Sequence, residues 1–380
     1  MRVKAEGLDE QGLDEQGLDE QGLDEQGLDE QGVSMAVDVE PPEVGLLADE
    51  RHLSARGPSS RRKVLNDWLG RAAVPIAWAV VVVVFSVLRP STFPTIGTFG
   101  AIFGSEAVLV IVTLGLLVPL RAGDYDLSVA GTLTLSSMII GRINGGAGVE
   151  IWFCVAIALA IGVGVGLVNG FFVRVFGINP FIVTLGMGTF LIGITLLISN
   201  DQTYAGVSVG LDNITETDRF LGIPLEFYYA LALCVIVWYV FEHTTLGRRL
   251  LFVGSGREVA RLSGVRVERM RVGALVVSGF LAALAGIFFA GTSGAANPTA
   301  GSFFLLPAFA AAFLGGTTIL PGRFNAWGTI VAAYFLVTGV TGLEILGAQS
   351  WVQTVFYGGA LVLAVAFAQL SKGRQSQEII

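Results

Sequence analysis

Between residues 73 and 370 the chain returns ten times to an apolar run: near 73–88, 99–119, 127–143, 150–173, 181–199, 227–241, 272–291, 303–319, 325–342 and 352–370. About 20 apolar residues carry a helix across the hydrocarbon core of a bilayer. In that core every backbone N–H and C=O must be paired within the spanning structure. The pattern therefore predicts an all-α polytopic membrane protein of about ten transmembrane helices. A hydrophobic fraction of 53%, a charged fraction of 14% and a mean hydropathy of +0.69 point the same way.

The longest basic interruption sets the expected orientation. From Arg248 to Arg271 there are seven arginines against Glu258 and Glu268, with an apolar run on each side. Positive loops stay on the cytoplasmic side, so residues 242–271 are expected there. The segment 200–226 carries Asp201, Asp212, Glu216, Asp218 and Glu226 against Arg219 alone and is expected outside. Ten crossings then put both termini in the cytoplasm. Arg51, Arg56, Arg61, Arg62, Lys63 and Arg71 precede the first run, as that orientation requires.

The overall charge of −8 conceals a division. Residues 1–50 hold sixteen acidic residues against Arg2 and Lys4, so the rest of the chain carries +6. Residues 7–31 repeat Gly-Leu-Asp-Glu-Gln five times. That period fits neither helix nor strand and its composition cannot bury a core, so residues 1–50 are expected to be a disordered acidic tail. It is either an interaction segment or a repeat tolerated at a terminus.

Several chemistries find no support. The lysines Lys4, Lys63 and Lys372 follow no glycine-rich phosphate loop. Cys154 and Cys234 stand alone in apolar runs, and His52 and His243 are far apart, so neither metal spacing nor a His-based triad is present. No metal site, catalytic residue or resident cofactor is expected, and nothing suggests a nucleic-acid partner.

Three polar interruptions remain. In Arg121-Ala122-Gly123-Asp124-Tyr125-Asp126-Leu127-Ser128, two carboxylates and an arginine meet at a span junction. Such groups must be paired, capping or in a watery cavity. Asp126 and Ser128 suit the cap of a helix starting near Leu127, and Asp124 could pair with Arg121. In Gly177–Gly186, Asn179 suits a cap, Pro180 the first helical turn, and Thr184 a return bond to the backbone. In Leu314–Arg323, a span breaks at Gly315, Gly316 and Thr317, and broken spans at membrane depth sit in protein or line a cavity.

With these motifs the sequence resembles the permease subunit of bacterial monosaccharide ATP-binding cassette importers of the ribose, xylose and arabinose type, over residues 73–371. Gly123, Asp126, Leu127, Ser128 and Val129 match that family's Gly-Gly-Ile-Asp-Leu-Ser-Val-Gly, while Asp124, Tyr125 and Ala130 depart from it. Its Pro-Phe-Ile-Val-Thr-Leu-Gly is complete as Pro180–Gly186. Leu314, Gly315, Gly316, Thr317, Gly322 and Arg323 match a third motif, with Pro321 and Phe324 in place of glycines. Thr341-Gly342-Leu343-Glu344 replaces a common Asn-Gly-Leu-Asn. Gly254, Ala260, Arg261, Ser263 and Gly264 fit the coupling-helix pattern, and Gly256 and Val259 do not.

The resemblance implies a permease of the type II importer architecture: two copies of the chain around a path in lipid, two separate ATP-binding subunits that hold ATP and magnesium, and an external solute-binding protein. It implies contact with the ATP-binding subunit at Gly254, Arg257, Ala260, Arg261, Leu262, Ser263 and Gly264. Residues expected to shape the path are Asp124, Asp126, Ser128, Asn179, Pro180, Thr184, Gly315, Gly316 and Thr317. The expected organisation is a tail at 1–50, a basic juxtamembrane segment at 51–72, a permease domain at 73–371 with its coupling loop at 242–271, and a cytoplasmic tail at 372–380. Branched-chain amino-acid or nucleoside importers share this architecture. An ion-coupled carrier would need a membrane-depth carboxylate, for which Glu106 and Glu344 are the candidates, and a membrane enzyme lacks any supporting constellation.

Overall fold

A computed structural model of the chain describes residues 59–104 and 106–377. The repeats at 7–31, the acidic tail and Arg51 and Arg56 lie outside the described residues, as do residues 378–380. Side-chain surroundings are described for 71–369, apart from Ser105.

The helices in chain order are α1 (Ser59–Leu88), α2 (Ile96–Phe103), α3 (Ala107–Arg121), α4 (Val129–Ile139), α5 (Ile151–Val175), α6 (Pro180–Ser199), α7 (Val209–Asp212) and α8 (Leu225–His243). After them come α9 (Thr245–Ser255), α10 (Arg257–Leu262), α11 (Val267–Ser293), α12 (Ser302–Gly315), α13 (Ala326–Ile345) and α14 (Trp351–Gln377). Among the described residues eight helical stretches are long and apolar enough to cross a membrane. The other two predicted runs form shorter elements. α4 passes into a π-helical turn at Ile140–Gly145, and α12 has 14 residues, about 21 Å of rise. The fold is all-α, as the apolar runs require.

Boundaries differ from expectation where local chemistry intervenes. The run predicted at 99–119 holds two helices, α2 ending at Phe103 and α3 beginning at Ala107, and a Cβ on Gly104 would strike the Pro224 ring. The first apolar span, Arg71–Leu88, lies close to the expected 73–88, and helix α1 begins earlier, at Ser59, so that part of the basic segment before the span is continuous with the helix.

α3 is the hub. All fifteen of its residues are buried, and a helix apolar all round needs protein on every side. α11 packs against α5, α3 and α4, and α12 against α13, α14 and α3. Close approach rests on small residues, as lipid-embedded helices require. A Cβ on Gly162 or Gly279 would strike the other's carbonyl, and one on Gly166 would lie 2.5 Å from Val276 Cα. Gly164, Gly186 and Gly193 have nothing within 4 Å of a Cβ position, so packing does not account for every glycine of α5 and α6.

Among the described residues, four two-residue strands lie in the connections. β1 (Tyr204–Ala205) pairs antiparallel with β4 (Ala295–Ala296), tying the 200–224 segment to the end of α11. β2 (Arg219–Phe220) and β3 (Ile223–Pro224) form a hairpin whose turn residues Leu221 and Gly222 both have positive φ, at 53° and 81°.

Candidate functional site

The turn between α3 and α4 brings the motifs together. Gly123 at φ 79° lets the chain reverse after Arg121, where an L side chain would be strained. The C-terminal end of α9 lies directly on this turn. A Cβ on Gly254 would overlap Arg121 O, and one on Gly123 would sit 3.4 Å from Gly254 Cα. Two backbones therefore touch here, and that contact places α10 beside Asp124.

Asp124 is wholly buried, and two arginines close on it. Its Oδ1 accepts from Arg257 Nη2 on α10 at 2.6 Å and from Arg271 Nη2 on α11 at 3.1 Å, and its Oδ2 accepts from Arg271 Nε at 2.8 Å. Arg257 Nη2 also donates to Gly123 O at 2.9 Å. The charge chain continues outward: Arg271 to Glu268 at 3.3 Å, Glu268 to Arg261 at 3.1 Å, and Arg261 to Glu258 at 3.0 Å. A buried carboxylate needs such partners. The expected Asp124–Arg121 pair does not form. Arg121 instead donates to Glu242 at 3.0 Å and to Phe241 O at 3.1 Å, with its guanidinium over the Phe241 ring. Arg271, which the sequence explains by orientation alone, is a structural partner of Asp124.

Asp126 and Ser128 work differently from the expected cap. α4 begins at Val129, and the Ser128 hydroxyl makes no capping bond. Asp126 Oδ1 accepts from Ser128 N at 3.0 Å and from the Ser128 hydroxyl at 2.5 Å, and Asn169 Nδ2 on α5 donates to Ser128 Oγ at 2.9 Å. Burial without a facing cation pushes the Asp126 carboxyl above its ordinary range, and the Ser128 hydrogen bonds offset part of that rise. Asp126 is thus a buried brace between the turn and α5, and it lines neither of the cavities described below.

The second motif is built as its residues predict. Asn179 Oδ1 accepts from Phe181 N at 3.0 Å, Pro180 occupies the first turn of α6, and the Thr184 hydroxyl lies 2.8 Å from Pro180 O. The same hydroxyl lies 3.2 Å from Tyr125 O and accepts from Leu127 N at 3.1 Å, which locks α6 to the α3–α4 turn. In the third motif Gly315 gives α12 its close approach to Thr329 on α13, and the Thr317 hydroxyl returns to Leu314 O at 2.7 Å. Asn325 Nδ2 reaches Gly315 O, Thr318 O and Arg323 O, so the broken span is satisfied inside the protein.

Two cavities flank the turn and share Gly123, Asp124 and Tyr125 as a common wall. The larger, about 720 Å³, is also lined by Gly254 and Ser255 of α9, by Gly316, Arg323 and Phe324 after α12, and by Gln369 of α14. The smaller, about 560 Å³, is lined by Asn179, Pro180, Phe181, Arg257 and Arg271. Of the residues expected to shape a path, Asp124, Asn179, Pro180 and Gly316 line these cavities. Ser128, Thr184, Gly315 and Thr317 support them from behind or lie elsewhere.

Tyr125 is the residue the sequence undervalued, noted there only as a departure from a motif. Its ring is 42% exposed. It stacks on Phe309 and Phe313 of α12, with centroids at 6.4 and 6.5 Å, and meets Phe181 of α6 edge-on at 6.5 Å. Glu226 was also missed as a buried acid. It is wholly buried at the start of α8, with Oε2 accepting from Thr292 and Oε1 unpartnered. Its flanks read as loop, and burial of a span's first residue leaves no local pattern.

The short helix α10 is two-sided. Ala260 is buried against Val253 and Val267, whereas Val259 is 59% and Leu262 87% exposed. Ser263 donates to Val259 O at 2.9 Å, and Gly264 at φ 81° ends the helix. Among the described residues no group of three or more His, Cys, Asp or Glu is placed to hold a metal ion.

Residues 99–365 match the protein family described as branched-chain amino acid transport system / permease component. The chain is 32% identical to the D-allose transport system permease protein AlsC of Escherichia coli (strain K12) over 77% of this chain and 89% of that one. It is 32% identical to the ribose import permease protein RbsC of the same organism, over 81% of this chain and 96% of the relative. The fructose import permease protein FrcC of Rhizobium meliloti is 29% identical over 78% of this chain and 85% of its own. No solved structure gives a significant match.

Proposed function

Because this chain belongs to the branched-chain amino acid transport system / permease component family, we propose that it is the membrane-spanning permease subunit of an ATP-binding cassette importer for a monosaccharide or related polyol. It is a transport subunit and not an enzyme, and it sits in the inner membrane as a multi-pass protein. Relatives that align over most of their length are named for allose transport and for ribose and fructose import, which favours a sugar over the amino acid in the family's description.

The observation that carries the mechanism is the outer face of α10. A six-residue helix presents Leu262 at 87% and Val259 at 59% exposure, held in place by Ala260 below and by the backbone contact at Gly254. Apolar side chains pushed out of the protein on a braced, charged element fit a docking contact. In this reading α10 and its flanks, from Gly254 to Gly264, seat on the ATP-binding subunit. The basic 242–271 segment and both termini then lie in the cytoplasm, and an external solute-binding protein delivers solute at the opposite end. Two copies of the chain pair around the path. α1 and α14, whose spanning windows are only 11% buried, face lipid.

A branched-chain amino-acid importer is the second reading, favoured by the description attached to the family. Reconstitution in liposomes with the ATP-binding subunit and the solute-binding protein separates the two. ATP-dependent accumulation of ribose, allose, fructose or a polyol is expected. Accumulation of leucine alone would reject the sugar reading, and uptake driven by an ion gradient without ATP would reject the importer.

A further inference from the structure

We propose that Asp124 and Tyr125 are the transmission between the coupling helix and the solute path, Asp124 receiving the movement of α10 and Tyr125 acting as the gate it moves. This rests on the reading of α10 as the docking element.

The two residues are neighbours on one turn with opposite tasks. Asp124 faces inward to Arg257 and Arg271, so its carboxylate is held at once by α10 and α11. Charge-assisted and bidentate contacts of this kind are short and directional. Arg257 grips the turn twice, through the carboxylate and through Gly123 O. A displacement of α10 therefore pulls on the turn itself rather than on a flexible side chain. Tyr125 follows directly and forms part of the wall shared by the two cavities. Its ring rests on Phe309, Phe313 and Phe181, which belong to α12 and α6. Rotation of the turn would slide that ring along the aromatic surface and open or close passage between the cavities.

The geometry also explains why these positions carry an acid and an aromatic. Arg271 is buried and Arg257 is half-exposed, so an uncharged residue at 124 would leave a buried guanidinium without its main partner. The next contact of Arg271, Glu268, is itself shared with Arg261 on α10. Both arginines of the coupling helix thus reach the same point by different routes. No hydrogen bond engages the Tyr125 hydroxyl among those described, so the ring and not the hydroxyl is the working part.

The test uses the full importer in proteoliposomes and reads three quantities: ATP-binding subunit retained on purification, solute taken up per ATP hydrolysed, and solute leak without ATP. Within the docking segment Arg257 turns its guanidinium inward to Gly123 O and Asp124, away from the Val259 and Leu262 face, so Arg257→Gln and Asp124→Asn are expected to keep the subunit and to lower uptake per ATP about tenfold. Tyr125→Ala is expected to raise leak without ATP, and Tyr125→Phe to restore the tight state. If Asp124→Asn does not fold, Arg257→Gln, whose side chain is partly exposed, carries the measurement alone. An unchanged uptake-to-ATP ratio in Arg257→Gln overturns the proposal, as does a Tyr125→Ala complex that leaks no more than the parent. Loss of the subunit from Arg257→Gln also overturns it, by making Arg257 a docking residue. Failure of the docking reading shows separately, as a Leu262→Asp complex that keeps its ATP-binding subunit.

Discussion

Gly254→Val is expected to abolish coupled transport. The Cβ it introduces would overlap Arg121 O and come within 3.1 Å of Arg121 C and 3.2 Å of Ala122 C. All three are backbone atoms on a turn held by Arg257, Arg271 and Thr184, so no side chain can swing aside. Overpacking of this kind costs about 1–3 kcal/mol, and relief comes by lifting the end of α9 off the turn. That movement carries α10 away and breaks the Arg257–Asp124 contact. A strain of this size placed on one of two arrangements shifts their balance by about 5–150-fold. The expected result is a lower unfolding temperature in detergent and loss of ATP-dependent uptake. Gly164→Ala is the control, because nothing lies within 4 Å of its Cβ position. It should alter neither.

Leu262→Asp tests a different link, assembly rather than transmission. The side chain is 87% exposed and touches no core cluster, so the folded chain should tolerate the change within about 0.5 kcal/mol. At an interface, truncating a central apolar anchor costs about 2 kcal/mol or more, close to thirtyfold in affinity. A carboxylate adds desolvation on top. The ATP-binding subunit should therefore fall away during purification while the permease keeps its thermal stability. Val259→Asp, one turn earlier on the same face, should do the same more weakly.

The all-α class and the ten apolar runs were legible because lipid leaves the backbone no other way to satisfy itself. The cap at Asn179–Pro180 and the return bond of Thr184 were legible for a related reason, since both involve residues close in sequence. What the sequence hid was which charges meet. Asp124 lies 133 residues from Arg257 and 147 from Arg271, and only the crossing of α3, α9 and α11 brings them together. Nearness in sequence pointed to Arg121, which the fold turns the other way toward Glu242. Tyr125 was hidden for the same reason, because its significance comes from α6 and α12 arriving on either side of it. The end of α2 at Phe103 was missed although Gly104, Ser105 and Glu106 interrupt the sequence there, because so short a polar step leaves the hydropathy of the whole run high. Motif resemblance is what proposes Gly254–Gly264 as the coupling segment, and the backbone contact at Gly254 gives a physical reason for a glycine at that position.

The central claim is that ATP-driven movement enters this chain at α10. Site-directed cross-linking tests it most directly, because the native Cys154 and Cys234 are both buried. Leu262→Cys on α10 and Leu221→Cys on the β2–β3 hairpin place single exposed thiols on the two elements read as cytoplasmic and external. With a short bifunctional thiol reagent and the assembled importer, Leu262→Cys should form an adduct with the ATP-binding subunit and Leu221→Cys should form none with it. An adduct from position 221, or its absence at 262 in a complex that still retains the subunit, would contradict the account.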